Sequence, residues 1–191
     1  RCPMMLAFAE IKRARGRFLS IIGALALITF LVLTLSALSD GLFYGSTGAY
    51  RSSNADGYAY STDAEGSLIR SRVPVADAQK YGQIPGVTKA SGLGVLLTSG
   101  TGPNGELDLA VFGVEPGGAG IPTTLTQGRL PNPGEDSAAA VDKTVVDKGA
   151  TIGSTIKVGD RSVTVVGVTQ DSNYQLQPTI WTTIPTWRAM Q

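Results

Sequence analysis

The 191 residues suffice for one medium domain plus a membrane anchor, and are too few for two domains of ordinary size. Twenty-four Gly and ten Pro against 7 % aromatics favour short strands and turns over a helical bundle. The net charge of +1 is unevenly spread: residues 1–17 carry Arg1, Lys12, Arg13, Arg15 and Arg17 against Glu10, while the remainder holds 11 basic and 14 acidic side chains. No basic stripe is left there to neutralise phosphates, so the balance argues against a nucleic-acid partner.

From the N-terminus, Met4 to Lys12 places apolar residues at 4, 5, 8 and 11, a helical spacing. Residues 1–17 are therefore expected as a basic amphipathic segment lying on the inner membrane surface, with a disordered tail as the alternative. Cys2 is the single cysteine, which precludes an intrachain disulfide and reads as an incidental thiol.

Phe18 to Leu38 then runs for 21 residues without a charge. At about 1.5 Å per residue it reaches roughly 31 Å, the thickness of a bilayer's hydrocarbon core. Its hydroxyls (Ser20, Thr29, Thr34 and Ser36) can bond back to helix carbonyls. Residues 18–38 are expected to cross the bilayer, with Lys12, Arg13, Arg15 and Arg17 cytoplasmic and the rest of the chain outside. A cleaved signal peptide is the rival reading, since Ala37-Leu38-Ser39 resembles a cleavage site; the apolar run exceeds a usual signal core. Residues 39–53 read as a stalk extending the helix, where Gly41, Gly45 and Gly48 offer a small-residue face to another helix.

Beyond Asn54 the pattern becomes short apolar runs broken by Gly, Pro and Asn. Strands are expected at 57–61, 88–97, 107–114, 137–141, 155–158, 161–169 and 179–183. The last but one pair forms a hairpin through Gly159-Asp160, and a flexible loop over 99–105 joins Leu97 to Leu107. Short helices are expected at 74–81, with Pro at its first turn, and at 143–148, capped by Asp142 and closed by Gly149. Strands mixed with small helices, without regular βαβ spacing, give an α+β domain over 54–191 behind one N-terminal transmembrane helix.

Catalytic chemistry is poorly served. Zero His removes the Ser-His-Asp and Cys-His arrangements and the common zinc ligands, and there is no phosphate-binding P-loop. The Gly113-x-x-x-Gly117-Gly118 and Gly92-x-Gly94 runs read as turns. Glu135-Asp136 reads as a solvated loop rather than an acid/base dyad. Asp56, Asp63 and Glu65 lack the alternation of a calcium loop. Trp181 and Trp187 are expected to pack where the chain returns to the membrane, or to form an interfacial belt. No catalytic residue, metal site or cofactor is assigned.

Several phrases, read in order, carry a resemblance: Gln127-Gly-Arg-Leu-Pro131, Ala138-Ala-Ala-Val141, Gly149-Ala-Thr-Ile-Gly-Ser-Thr-Ile-Lys-Val-Gly159 and Val163-Thr-Val-Val-Gly-Val168. They resemble the periplasmic core domain of MacB/FtsX-like ABC transporter permeases. Glu10-Ile-Lys-Arg-Ala-Arg-Gly-Arg-Phe-Leu19 is similar to that family's approach to its first membrane helix, and Ile84-Pro-Gly-Val87 is another shared phrase.

The resemblance implies a non-catalytic permease subunit in a bacterial plasma membrane. It would pair with a second copy and with cytoplasmic ATPase subunits. Through ATP hydrolysis in those partners it would move the extracytoplasmic domains to export or extract an amphipathic substrate such as a lipid, peptide, drug or haem. For haem, Met4, Met5 and Tyr44 would be the ligands nearest the membrane. The family has three further membrane helices after this domain, so the chain is expected to be a piece of a longer permease. A complete single-pass binding or sensor module, and a secreted protein, are the alternatives.

Overall fold

A computed structural model describes residues 12–191. The amphipathic stretch around Met4 and Met5, and Cys2, lie outside the described residues.

Helix α1 runs Arg15–Arg51, 37 residues, and is apolar and long enough to cross a membrane. Three of its hydroxyls bond back along the helix: Ser20 Oγ donates to the Arg17 carbonyl, Thr29 Oγ1 to that of Leu25 and Thr34 Oγ1 to that of Phe30, each at 2.8 Å. Such bonds satisfy the hydroxyls where no water is present. Two compact units divide the chain, one up to Phe43 and the other Tyr44–Gln191, so the last two turns of α1 belong to the second.

In that second unit, β1 (Leu93–Gly102), β2 (Gly105–Val114), β3 (Leu125–Gly128), β4 (Ala138–Asp142), β5 (Thr155–Val158), β6 (Arg161–Thr169) and β7 (Thr179–Thr183) form one sheet. Its order is β3-β6-β4-β7-β2-β1-β5, and β5 also pairs with β6, so six strands close on themselves and β3 extends the rim. Closure through β1 is slight, resting on Thr101 opposite Lys157. A 3-10 turn (Thr62–Ala64) and the short helix α2 (Val75–Tyr81) precede β1, α3 (Lys143–Val146) follows β4, and α4 (Ile184–Arg188) follows β7.

The sequence explains which strands lie centrally. β4 (AAAVD) and β7 (TIWTT) are buried at every position, as strands covered on both faces must be. Alternate residues sort into two cores. Leu109, Val111, Val141, Ile156, Val163, Val165 and Ile180 fill one. Val95, Ala110, Phe112, Ala140, Tyr174 and Trp181 form the other, together with Ala49 from the end of α1. β6, by contrast, alternates in its first half, burying Val163 and Val165 while Ser162 and Thr164 face out.

Four expectations need revision, the first being the strand at 88–97, which begins only at Leu93. The segment 57–61 is not a strand: Tyr58 and Tyr60 imitate strand alternation, and Tyr58 meets Tyr50 edge-on, ring centres 5.2 Å apart. The supposed flexible loop over 99–105 is mostly strand, because β1 stays paired until Gly102 faces Gly105 and only Pro103-Asn104 turn. β3 was not expected. Its four exposed residues carry no burial pattern.

Candidate functional site

The contacts that form the site lie within the Tyr44–Gln191 unit. The segment Asp171–Leu176, linking β6 to β7, wraps the last two turns of α1. The Ala49 N–H donates to the Asn173 carbonyl at 2.8 Å, Gln175 N–H to that of Ser46 at 3.1 Å and Leu176 N–H to that of Gly45 at 3.0 Å. Asn173 Nδ2 adds a second donor to the Gly45 carbonyl at 2.5 Å. The loop thus takes hold of the Gly45 and Ser46 carbonyls, more than a turn before the helix ends at Arg51, and of the Ala49 N–H between them and that end.

Glycine permits this approach. A β-carbon at Gly48 would fall 2.8 Å from the carbonyl oxygens of both Asn173 and Asp171, and one at Gly45 would fall 2.5 Å from Leu176 Cδ2. The small-residue face expected to meet another helix is thus occupied, at Gly45 and Gly48, by the domain's own loop. Gly41, the third member, belongs to the other unit, and a β-carbon there would meet no atom of the described residues within 4 Å.

The clasp itself is strained. Asp171, Gln175 and Leu176 all hold positive φ (52, 50 and 63°), where side chains other than glycine are disfavoured. What over-determines them is a buried polar network. Asp142, 1 % exposed, accepts from Thr144 N–H (3.0 Å) and Thr144 Oγ1 (2.8 Å) on one oxygen, capping α3. Its other oxygen accepts from Ser172 N–H (2.8 Å) and Ser172 Oγ (2.9 Å). Ser172 Oγ in turn accepts from Trp181 Nε1 at 3.2 Å and lies 2.6 Å from Thr169 Oγ1. One carboxylate therefore fixes both a helix start and the loop that grips α1. Sequence reasoning found Asp142 as a cap; its second oxygen left no trace in local sequence.

Around the clasp, Tyr174 packs between Tyr50 (ring centres 5.8 Å apart) and Phe112 (5.3 Å), and Phe112 lies 4.5 Å from Trp181. Burial pushes the Tyr174 and Tyr58 phenols above their usual range. Tyr44 engages Arg51, whose guanidinium sits 4.3 Å over its ring and donates to the Tyr44 carbonyl at 3.0 Å. Trp181 is interior, 1 % exposed, and so is no part of an interfacial belt.

The acidic candidates separate. Glu135 takes both Arg129 nitrogens (2.6 and 2.8 Å) and the Asn132 N–H (2.9 Å), which hold its carboxyl down at about 2. It braces the turn after β3. Glu65 pairs on the surface with Arg70 at 2.6 Å. Among the described residues no group of three or more His, Cys, Asp or Glu gathers to hold a metal ion. Two surface depressions, about 200 Å³ beside Glu106 and Lys157 and about 300 Å³ beside Arg72 and Tyr81, enclose no reactive pair.

The profile of the MacB-like periplasmic core domain matches residues 18–191. The chain belongs to the MacB-like periplasmic core domain family. Two curated proteins from two strains of Mycobacterium tuberculosis, both called uncharacterized ABC transporter permeases, are 26 % identical over 170 residues. The alignment covers 88 % of this chain and 47 % of theirs, so this MacB-like chain spans about half the length of the curated relatives it matches. A solved structure, the extracellular domain of the ABC-type transporter YknZ from Gram-positive bacteria, shares the fold with TM-score 0.52 and 15 % identity, covering 69 % of this chain and 73 % of that one.

The family's phrases acquire reasons. In Val-Val-Gly-Val168, Gly167 sits where a β-carbon would fall 2.9 Å from the Arg129 backbone nitrogen. Arg129 N–H donates to Val166 O at 3.0 Å, crossing the irregularity in β6 pairing. Gly128 takes φ 66°, turning the chain out of β3 so that Arg129 can reach Glu135.

Proposed function

We propose that this MacB-like chain is the front part of an ABC transporter permease whose first helix drives its extracytoplasmic domain. Residues 18–38 cross the plasma membrane, the basic residues before them stay in the cytoplasm, and 54–191 stand outside behind the stalk at 39–53. A partner ATPase hydrolyses ATP in the cytoplasm, a second permease copy completes the assembly, and the amphipathic substrate moves as the domains shift.

The observation that supports this reading most is the clasp on the end of α1. A passive tether asks only for a flexible linker after the membrane helix. Here the Gly45 and Ser46 carbonyls, the Ala49 N–H and two glycines in the last turns of the helix are engaged by a loop anchored on a buried carboxylate, an attachment suited to transmitting force. Transmission needs stiffness and partner surfaces and makes no demand for catalytic groups.

Co-purification of the full-length protein with ABC ATPases of its host is the test. The expected result is a stable complex whose ATP turnover changes with the permease present. If no ATPase accompanies it and turnover is indifferent to it, a single-pass sensor becomes the better account.

A further inference from the structure

Trp187, on α4, lies flat over two glycines that face each other across the β1–β2 ladder, Gly94 and Gly113. A β-carbon on Gly94 would fall 2.5 Å from Trp187 Cε2, and one on Gly113 would fall 2.5 Å from Trp187 Cβ. Any side chain at either position would expel the indole. The slot faces the core of Val111 and Ile180, the face opposite the one that holds Ala49, Phe112 and Tyr174. Strand β2 is therefore gripped from both sides at consecutive residues: Phe112 against Tyr174 of the clasp, Gly113 against Trp187. The indole Nε1 is buried and has no hydrogen-bond partner among the described residues, while the ring packs against the apolar core.

We infer that Trp187 is the positioning residue of a second attachment, through which the end of α1 and the segment after β7 act on one strand. A shift of the clasp moves Phe112, and β2 carries that shift to α4 through the neighbouring glycine. Packed elements of this kind take discrete arrangements rather than bending continuously. The inference rests on the reading that α1 conveys motion to the domain, yet its test needs no ATPase. Failure here would therefore leave that reading to its own experiment.

The test is amide hydrogen exchange on the 191-residue chain in lipid nanodiscs, reading Ala49, Gln175 and Leu176, whose N–H groups close the clasp. Trp187→Leu empties the slot, and Val163→Ala on β6 supplies a comparable loss of buried apolar packing as the reference. At matched global stability, Trp187→Leu is expected to speed exchange at the three amides about tenfold or more over the reference. Equal rates in the two variants would overturn the coupling. If Trp187→Leu does not fold, Trp187→Phe carries the same comparison, with a smaller acceleration expected and none as the contrary result.

Discussion

A β-carbon on Gly48 would sit 2.5 Å from Asn173 Oδ1 and 2.8 Å from the Asn173 carbonyl oxygen. The second of these is backbone, already bound to the Ala49 N–H, and cannot swing aside as a side-chain tip could.

Gly48→Ala should therefore push the Asp171–Leu176 loop off the helix, destabilising the domain by about 1–3 kcal/mol. Gly41→Ala meets no atom of the described residues within 4 Å and, in a helix interior, should be neutral or stabilising by up to about 1 kcal/mol. Denaturant unfolding of the two variants in detergent separates a clasp from a general intolerance of alanine.

Part of this arrangement was legible in the sequence. β5, β6 and β7 fall at 155–158, 161–169 and 179–183 as expected, because Gly159-Asp160 marks a two-residue turn and Val163 and Val165 alternate with polar neighbours. Asp142 was readable as a cap because capping acts across two residues. The clasp was not. Gly45 and Gly48 pair with residues about 125 positions away, and small-xxx-small spacing is the same whether a helix or a loop comes to fill it. β3 escaped notice because an exposed edge of four residues leaves no period to detect.

Asp142→Ala removes the acceptor of the N–H and hydroxyl of both Thr144 and Ser172, the second of which is fully buried. Destabilisation of about 3 kcal/mol or more is expected. Asp142→Asn keeps one acceptor oxygen and should fall between. Chemical denaturation with tryptophan fluorescence checks the order, since Trp181 joins the same network.

Glu135 gives a pH dependence whose sign is fixed. Its carboxyl sits at about 2 in the folded domain, chiefly through the hydrogen bonds from Arg129, against about 4.3 in an unfolded chain. A depressed carboxyl stabilises the fold fully above the unfolded value, and that contribution is lost as pH falls from about 4.3 to about 2. Glu135→Gln should therefore flatten the loss of thermal stability across this acid window. Both partners are partly solvent-exposed, so the difference should shrink in high salt.

Gly167→Ala tests the reason given for the Val-Val-Gly-Val phrase. The added methyl would meet the Arg129 backbone at the point where it crosses β6, forcing β3 from the rim at a cost of about 1–3 kcal/mol. Thermal unfolding checks the size. Faster amide exchange at Arg129, which donates to Val166, checks the place.

All of this matters for transport only if the helix crosses a bilayer and the domain stands outside it. Asp160, exposed in the turn between β5 and β6, is a suitable reporter. An Asp160→Cys variant lacking Cys2 would be treated, in intact cells, with a membrane-impermeant maleimide. The account predicts labelling without lysis; labelling that appears only after the cells are broken would contradict it.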